Sequence, residues 1–166
     1  MLNTQLFFSR ESLGADQDYE ELELFLAGAF SFGKNTVLTW VDGVSNLGSE
    51  LPFFEGADLG GFLNLSGIDP GTVTGNVGGV LTAVYYRQIG LLAPALGGGV
   101  YVGGSVEAGG AWERSGDASL SDLTWASSLF VGSDTRFGPL YLGYGRAETG
   151  DDAFYFFLGR LFSQGQ

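Results

Sequence analysis

The side chains of this chain with the means to do chemistry are carboxylates and hydroxyls, because it holds no histidine and no cysteine. Without either, the usual pairings of a nucleophile with a base cannot be assembled, and disulfides and thiolate metal sites go with them. The stretch nearest to a nucleophile turn, Gly43-Val44-Ser45-Asn46-Leu47-Gly48, has one residue more than Gly-x-Ser-x-Gly and leads into no helical pattern. Gly78-Gly79 and Gly97-Gly98-Gly99 lack the Lys-Ser/Thr that completes a phosphate loop, and both lie in strand-like runs. Asp16, Asp18, Asp151 and Asp152 offer hard oxygen ligands of the kind calcium takes, and the same residues fit solvated loop ends. The expectation is a protein that is not an enzyme, with no catalytic residue, no metal site and no cofactor.

Charge narrows the partners. Nineteen Asp and Glu stand against seven Lys and Arg, a net charge of −12, so a nucleic-acid partner, whose phosphates need basic side chains, is not expected. The 166 residues suit a single domain, 1–166. Twenty-nine glycines are interleaved with Val, Leu, Phe and Tyr, a composition that suits strands better than a linker. No apolar run approaches the roughly 20 residues a membrane helix needs. Leu2-Asn3-Thr4-Gln5-Leu6 already reads as a strand, so an export signal, if there was one, is expected to have been removed.

Helical periodicity is hard to find outside Tyr19 to Leu26, whereas period-two alternation recurs in stretches of the roughly 9–11 residues that cross a bilayer at a barrel's tilt. Eight such segments are expected, at Leu2–Glu11, Asp18–Phe32, Asn35–Val44, Val73–Ile89, Gly98–Trp112, Asp122–Thr135, Leu140–Ala147 and Ala153–Phe162. Their connections alternate between tight turns (Gly33-Lys34-Asn35, Leu92-Ala93-Pro94-Ala95, Phe137-Gly138-Pro139) and longer polar loops. This is the pattern of an all-β, transmembrane antiparallel β-barrel with short periplasmic turns and long extracellular loops, which places the chain in a bacterial outer membrane with the lipid bilayer as its partner.

Facing follows from parity. In the fifth segment Val100, Val102, Val106, Ala108 and Trp112 share the side expected to meet lipid, while Gly99, Tyr101, Gly103, Ser105, Glu107, Gly109 and Glu113 share the lumenal side. In the second, Leu22, Leu24, Leu26, Phe30 and Phe32 are expected outside, with Tyr19, Glu21, Glu23 and Ala27 inside. Glu21, Glu23, Glu107 and Glu113 would make an acidic lumen that prefers cations. The fourth segment has apolar residues on both parities, Val80, Val84 and Tyr86 against Leu81, Ala83 and Tyr85, and its facing stays open.

The stretch after the third segment carries Leu51-Pro52-Phe53-Phe54-Glu55 and then Leu59-Gly60-Gly61-Phe62-Leu63-Asn64-Leu65-Ser66-Gly67. With Gly104-Ser105-Val106-Glu107-Ala108-Gly109-Gly110-Ala111-Trp112, Phe137-Gly138-Pro139-Leu140-Tyr141-Leu142-Gly143-Tyr144-Gly145 and the closing strand, it resembles the bacterial surface antigen superfamily, which includes the barrels of BamA, TamA and FhaC. The resemblance covers residues 35–162 and is nearest to the barrel of patatin-like phospholipase autotransporters. It implies a sixteen-stranded barrel of which this chain matches the C-terminal half, and a loop, residues 46–72, folded into the lumen with Gly60, Gly61, Asn64, Ser66 and Gly67 as its motif. It also implies recognition by the barrel assembly machinery through Phe154, Phe156, Leu158, Gly159, Arg160 and Phe162. One departure matters. The family's loop arginine, which reaches toward the strand position of Glu107, is replaced by Ser66, and no Arg or Lys lies between Asn35 and Tyr86, so Glu107 is expected to be solvated. The other is that neither a POTRA-like nor a patatin domain is found among these residues.

Two assemblies stay open. Eight strands enclose an interior just wide enough for side chains, yet Gly99, Gly103, Gly109, Gly143 and Gly145 bring none, and a long loop has nowhere to go inside eight. Two chains joined edge to edge, the first strand of one against Ala153–Phe162 of the other, would give a sixteen-stranded homodimer forming a pore or membrane module. The alternative is a monomeric eight-stranded barrel, the anchor of a patatin-like autotransporter without its enzyme domain. A soluble barrel for an apolar ligand is a weaker third reading, against the Leu22, Leu24, Leu26, Phe30 stripe.

Overall fold

A computed structural model of the chain describes residues 2–9, 19–45, 56–93 and 96–159, with 2–9 and 19–21 described by their backbone. Among these residues the protein is all-β. Its strands are β1 (Leu2–Ser9), β2 (Tyr19–Phe32), β3 (Asn35–Ser45), β4 (Ala57–Leu59), β5 (Val73–Gly75), β6 (Val77–Leu91), β7 (Gly97–Trp112), β8 (Thr124–Thr135), β9 (Gly138–Ala147) and β10 (Asp152–Leu158). The wall is one antiparallel sheet in the order β1-β2-β3-β6-β7-β8-β9-β10, and β4 pairs with β5 in a small hairpin of its own. Every wall strand pairs with its neighbour along the chain once that hairpin is set aside, as in an antiparallel meander. The sheet is open: β1 and β10 are its two edges, and no pairing joins them among the described residues.

The expected segments and the wall strands agree closely, because two-residue alternation is read directly from side-chain type. The exception is Val73–Ile89, expected as one strand. Val73–Gly75 instead pairs with Ala57–Leu59, and the wall strand starts at Val77. The hairpin closes the loop on itself before the chain re-enters the wall.

Parity sorts the sheet into two unlike faces. On the outer face Leu24, Leu26, Phe30, Phe32, Leu81, Ile89, Val102, Val106, Trp125, Leu129, Val131, Leu142, Phe154, Phe156 and Leu158 are all exposed. On the inner face Val80, Thr82, Val84, Ser105, Glu107, Ala126, Ser128, Phe130 and Ala147 are buried. The facing of β6 is thereby settled: Val80, Thr82 and Val84 point in, and Leu81 and Tyr85 point out. Tyr86 also turns inward, edge-on to Tyr101 with centroids 5.7 Å apart.

What covers the inner face is the chain itself. Leu59, Leu65 and Ile68 of the loop between β3 and β6 pack with Val80, Ala126 and Ala147 of the wall, with Val73 against them. The small apolar core is therefore made between loop and wall, while the largest apolar surface faces away from the protein.

Candidate functional site

The site is the seat of this loop on the inner face. Its tip is tied to itself first. The Gly60 N–H donates to the Asn64 carbonyl at 2.8 Å, Gly61 N–H to Ile68 O at 2.8 Å, and Asn64 N–H to Gly61 O at 3.1 Å. The Asn64 side-chain amide donates to the carbonyls of Asp58 and Gly60 at 3.3 and 3.2 Å. Such tight winding needs left-handed backbone. Leu63 and Leu65 have φ of 63° and 67°, which non-glycine residues seldom adopt, and Gly60 (φ 134°) passes so close to Asp69 that a Cβ would lie 2.3 Å from its carbonyl oxygen. Residues held like this persist only where surrounding contacts over-determine them.

Those contacts come from the five wall strands β6 to β10. On β6, Thr82 Oγ1 donates to Leu63 O at 3.2 Å. On β7, the Glu107 carboxylate accepts from Ser66 N–H at 2.6 Å and from Ser66 Oγ at 2.8 Å. Ser105 Oγ donates to the same carboxylate at 2.5 Å, and lies 2.6 Å from Ser128 Oγ of β8, so Ser128 must be the donor between the two hydroxyls. On β9, glycines leave the room: a Cβ on Gly143 would come within 2.8 Å of the Phe62 ring, and one on Gly145 within 2.6 Å of Ser66 Cβ. On β10, the Tyr155 hydroxyl accepts from Gly67 N–H at 2.8 Å, while Phe62 packs on Tyr155 and Phe157 with centroids 5.1 and 5.5 Å away.

Glu107 is not solvated. It has no exposed surface, and neither do Ser66 and Thr82. A buried carboxylate is tolerated when its oxygens are satisfied by donors, and a backbone N–H with two hydroxyls does here what a guanidinium would do. Ser66 is correspondingly no nucleophile. Its hydroxyl is spent on Glu107, accepts the Leu63 N–H at 2.9 Å, and has no open space where a reacting carbonyl could sit.

The four carboxylates expected in the lumen are not gathered together. Glu107 is locked to the loop. Glu23 lines a cavity of about 890 Å³ that lies between β2, β3 and the loop, with Phe25, Trp40, Asp42, Asp58 and Asn64 also on its walls. Glu113 sits just past the end of β7, exposed, its carboxylate 3.3 Å from the Asn76 amide that donates to it. Glu21 stands opposite Phe7 in the β1–β2 register, and its side chain lies outside the described residues. Of the motif, Gly60, Gly61, Asn64, Ser66 and Gly67 all fall in the loop tip. Of the closing strand, Phe154, Phe156 and Leu158 are exposed on the outer face and Gly159 follows with φ 118°, while Arg160 and Phe162 lie outside the described residues, as do Leu51–Glu55 and the Asp16 and Asp18 of the calcium alternative. Among the described residues no three ligating side chains converge on a metal position.

Residue reasoning passed over Thr82, Ser105, Ser128, Phe62 and Tyr155 as parts of a site. The signal for one serine was present, since Ser105 lies two residues from Glu107 on the same face, whereas Ser128 is placed by its pairing opposite Ser105. Nothing in the order of residues says that the loop tip crosses β7, β8 and β9 to reach β10. No protein-family model matches this sequence, and no curated protein is significantly similar to it.

Proposed function

We propose that this chain is a non-enzymatic module of a bacterial outer membrane, eight strands that form one half of a barrel whose other half is a second copy. The observation that carries the reading is an open sheet whose exposed large apolar side chains lie on the outside of β2 and of β6 through β10, while its inner face carries the buried Thr82, Ser105, Glu107 and Ser128 and is covered in part by the loop. That is the inverse of a water-soluble sheet and the pattern of a membrane barrel wall. The free edges supply the rest. β10 has seven residues and alternate ones aim N–H and C=O away from β9, leaving roughly six groups that would each cost several kcal/mol unpaired in hydrocarbon. β1, of eight residues, is the matching edge. A two-fold axis along the barrel brings β10 of each copy beside β1 of the other, antiparallel, and leaves no edge.

Closure of one chain on itself fits less well. An eight-stranded interior is just filled by its own side chains. Here Leu59, Phe62, Leu65 and Ile68 of the loop already occupy the inner face against β6 to β10. The resemblance to assembly and secretion barrels supports the same reading, with the lumen of the pair forming a cation-preferring passage beside the two loops and Glu23 on its wall.

The test is a mixture of two single variants, Phe8→Cys and Phe156→Cys, refolded together in detergent and treated with a short bis-maleimide. A covalent dimer joining one chain of each kind is expected. Cross-linking only within a chain that carries both substitutions would instead establish the monomeric barrel.

A further inference from the structure

We infer that the loop is a brace for the seam: its tip holds edge strand β10 in place for pairing with a second copy, with Phe62 and Tyr155 as the positioning residues. This rests on the two-copy reading above. An edge strand has ladder bonds on one side only, and terminal strands are the first parts of a sheet to open. β10 is also short, seven residues against sixteen in β7, so its attachment to β9 is the weakest in this half of the wall.

The loop makes up for this from a distance. It leaves the wall after β3 and re-enters at β6, yet its tip reaches the far edge. There Phe62 fits between Phe130 of β8 (5.9 Å, edge-on) and the inward rings of Tyr155 and Phe157. Gly67 N–H, beside the buried Ser66, gives β10 its hydrogen bond from outside the ladder, through the Tyr155 hydroxyl. Gly143 and Gly145 are the slot in β9 through which both contacts pass, and a methyl group at either would close it. Tyr155 and Phe157 are thus fixed from the inside while Phe154, Phe156 and Leu158 remain on the open outer face, and among the described residues nothing pairs with the outer edge of β10. A strand held straight and in register before its partner arrives does not have to be ordered during association, and pre-ordering of this kind raises affinity without adding a contact. The partner it fits is β1 of a second copy.

The experiment compares Tyr155→Phe, which keeps the ring and removes the bond, Phe62→Ala, which removes the stacked ring, and Tyr101→Phe, which removes a wall bond from β7 to Asp134 of β8, away from the loop tip and β10. Each is refolded in detergent and checked for the heat-modifiable band of a folded barrel. The dimer fraction is then measured by light scattering, and amide hydrogen exchange along β6 to β10 is followed. Tyr155→Phe is expected to weaken the dimer about fivefold, in keeping with one hydrogen bond. Phe62→Ala is expected to weaken it about tenfold or more. In both, exchange quickens over Phe154–Leu158 and not over β7, whereas the conservative Phe62→Tyr keeps the dimer and Tyr101→Phe leaves it at the wild-type level. Wild-type dimer fractions in Tyr155→Phe and Phe62→Ala would overturn the inference, as would an equal loss in all three variants. A wild-type chain that never dimerises contradicts the two-copy reading itself, a separate outcome.

Discussion

At the scale of the residue, Ser66 and Glu107 decide how the loop is held. The pairing places three donors on one buried carboxylate with no cation near it in sequence. Glu107→Gln turns one of those oxygens into an amide that faces a donor with another donor. It should cost about 1–3 kcal/mol of stability, read as a lower denaturant midpoint in refolding titrations. A second substitution probes the space around Ser66. Ser66→Arg should destabilise more than Ser66→Ala, by about 1–3 kcal/mol, because Ser66 has no exposed surface and its Cβ already lies against Gly145. Equal effects of Arg and Ala in the same titration would mean the loop has space that the structure does not give it. Glu107 was legible in the sequence as an inward residue of β7. Its partners were not, since a backbone N–H is common to all residues but proline and carries no mark of where it points.

At the scale of the element, the slot in β9 and the hairpin β4–β5 position the loop. The lumenal glycines read as empty wall, and two of them are spaces already taken: Gly143 by Phe62 and Gly145 by Ser66. Gly143→Val should therefore dislodge the tip, with stability lower by about 1–3 kcal/mol. The same change at Gly90, where an added Cβ meets nothing, should cost less than half as much in the same titration. The strands themselves were legible almost residue by residue, because alternation is a property of neighbours in the chain. β5 was missed for the converse reason. Val73-Thr74-Gly75 continues the apolar pattern of β6, and only its pairing with Ala57–Leu59, a contact across the loop, makes it a separate strand.

At the scale of the whole molecule, the outer face and the two edges carry the functional reading. Leu129, 71% exposed near the middle of β8, stands for that face. Leu129→Arg should cost about 2–4 kcal/mol when the protein is folded into lipid vesicles, as an arginine at the bilayer midplane does. A chain that stays in solution without detergent and tolerates this change would support the soluble barrel instead. The antiparallel all-β character and the outward apolar pattern followed from the sequence, whereas the proposed closure with a second copy turns on where a loop tip comes to rest. Two copies to a barrel is the proposal, and the mass of the folded species in detergent decides it. With detergent subtracted, the heat-modifiable protein should weigh twice its 17.5 kDa chain. A folded species of 17.5 kDa, stable at every protein concentration, would contradict it.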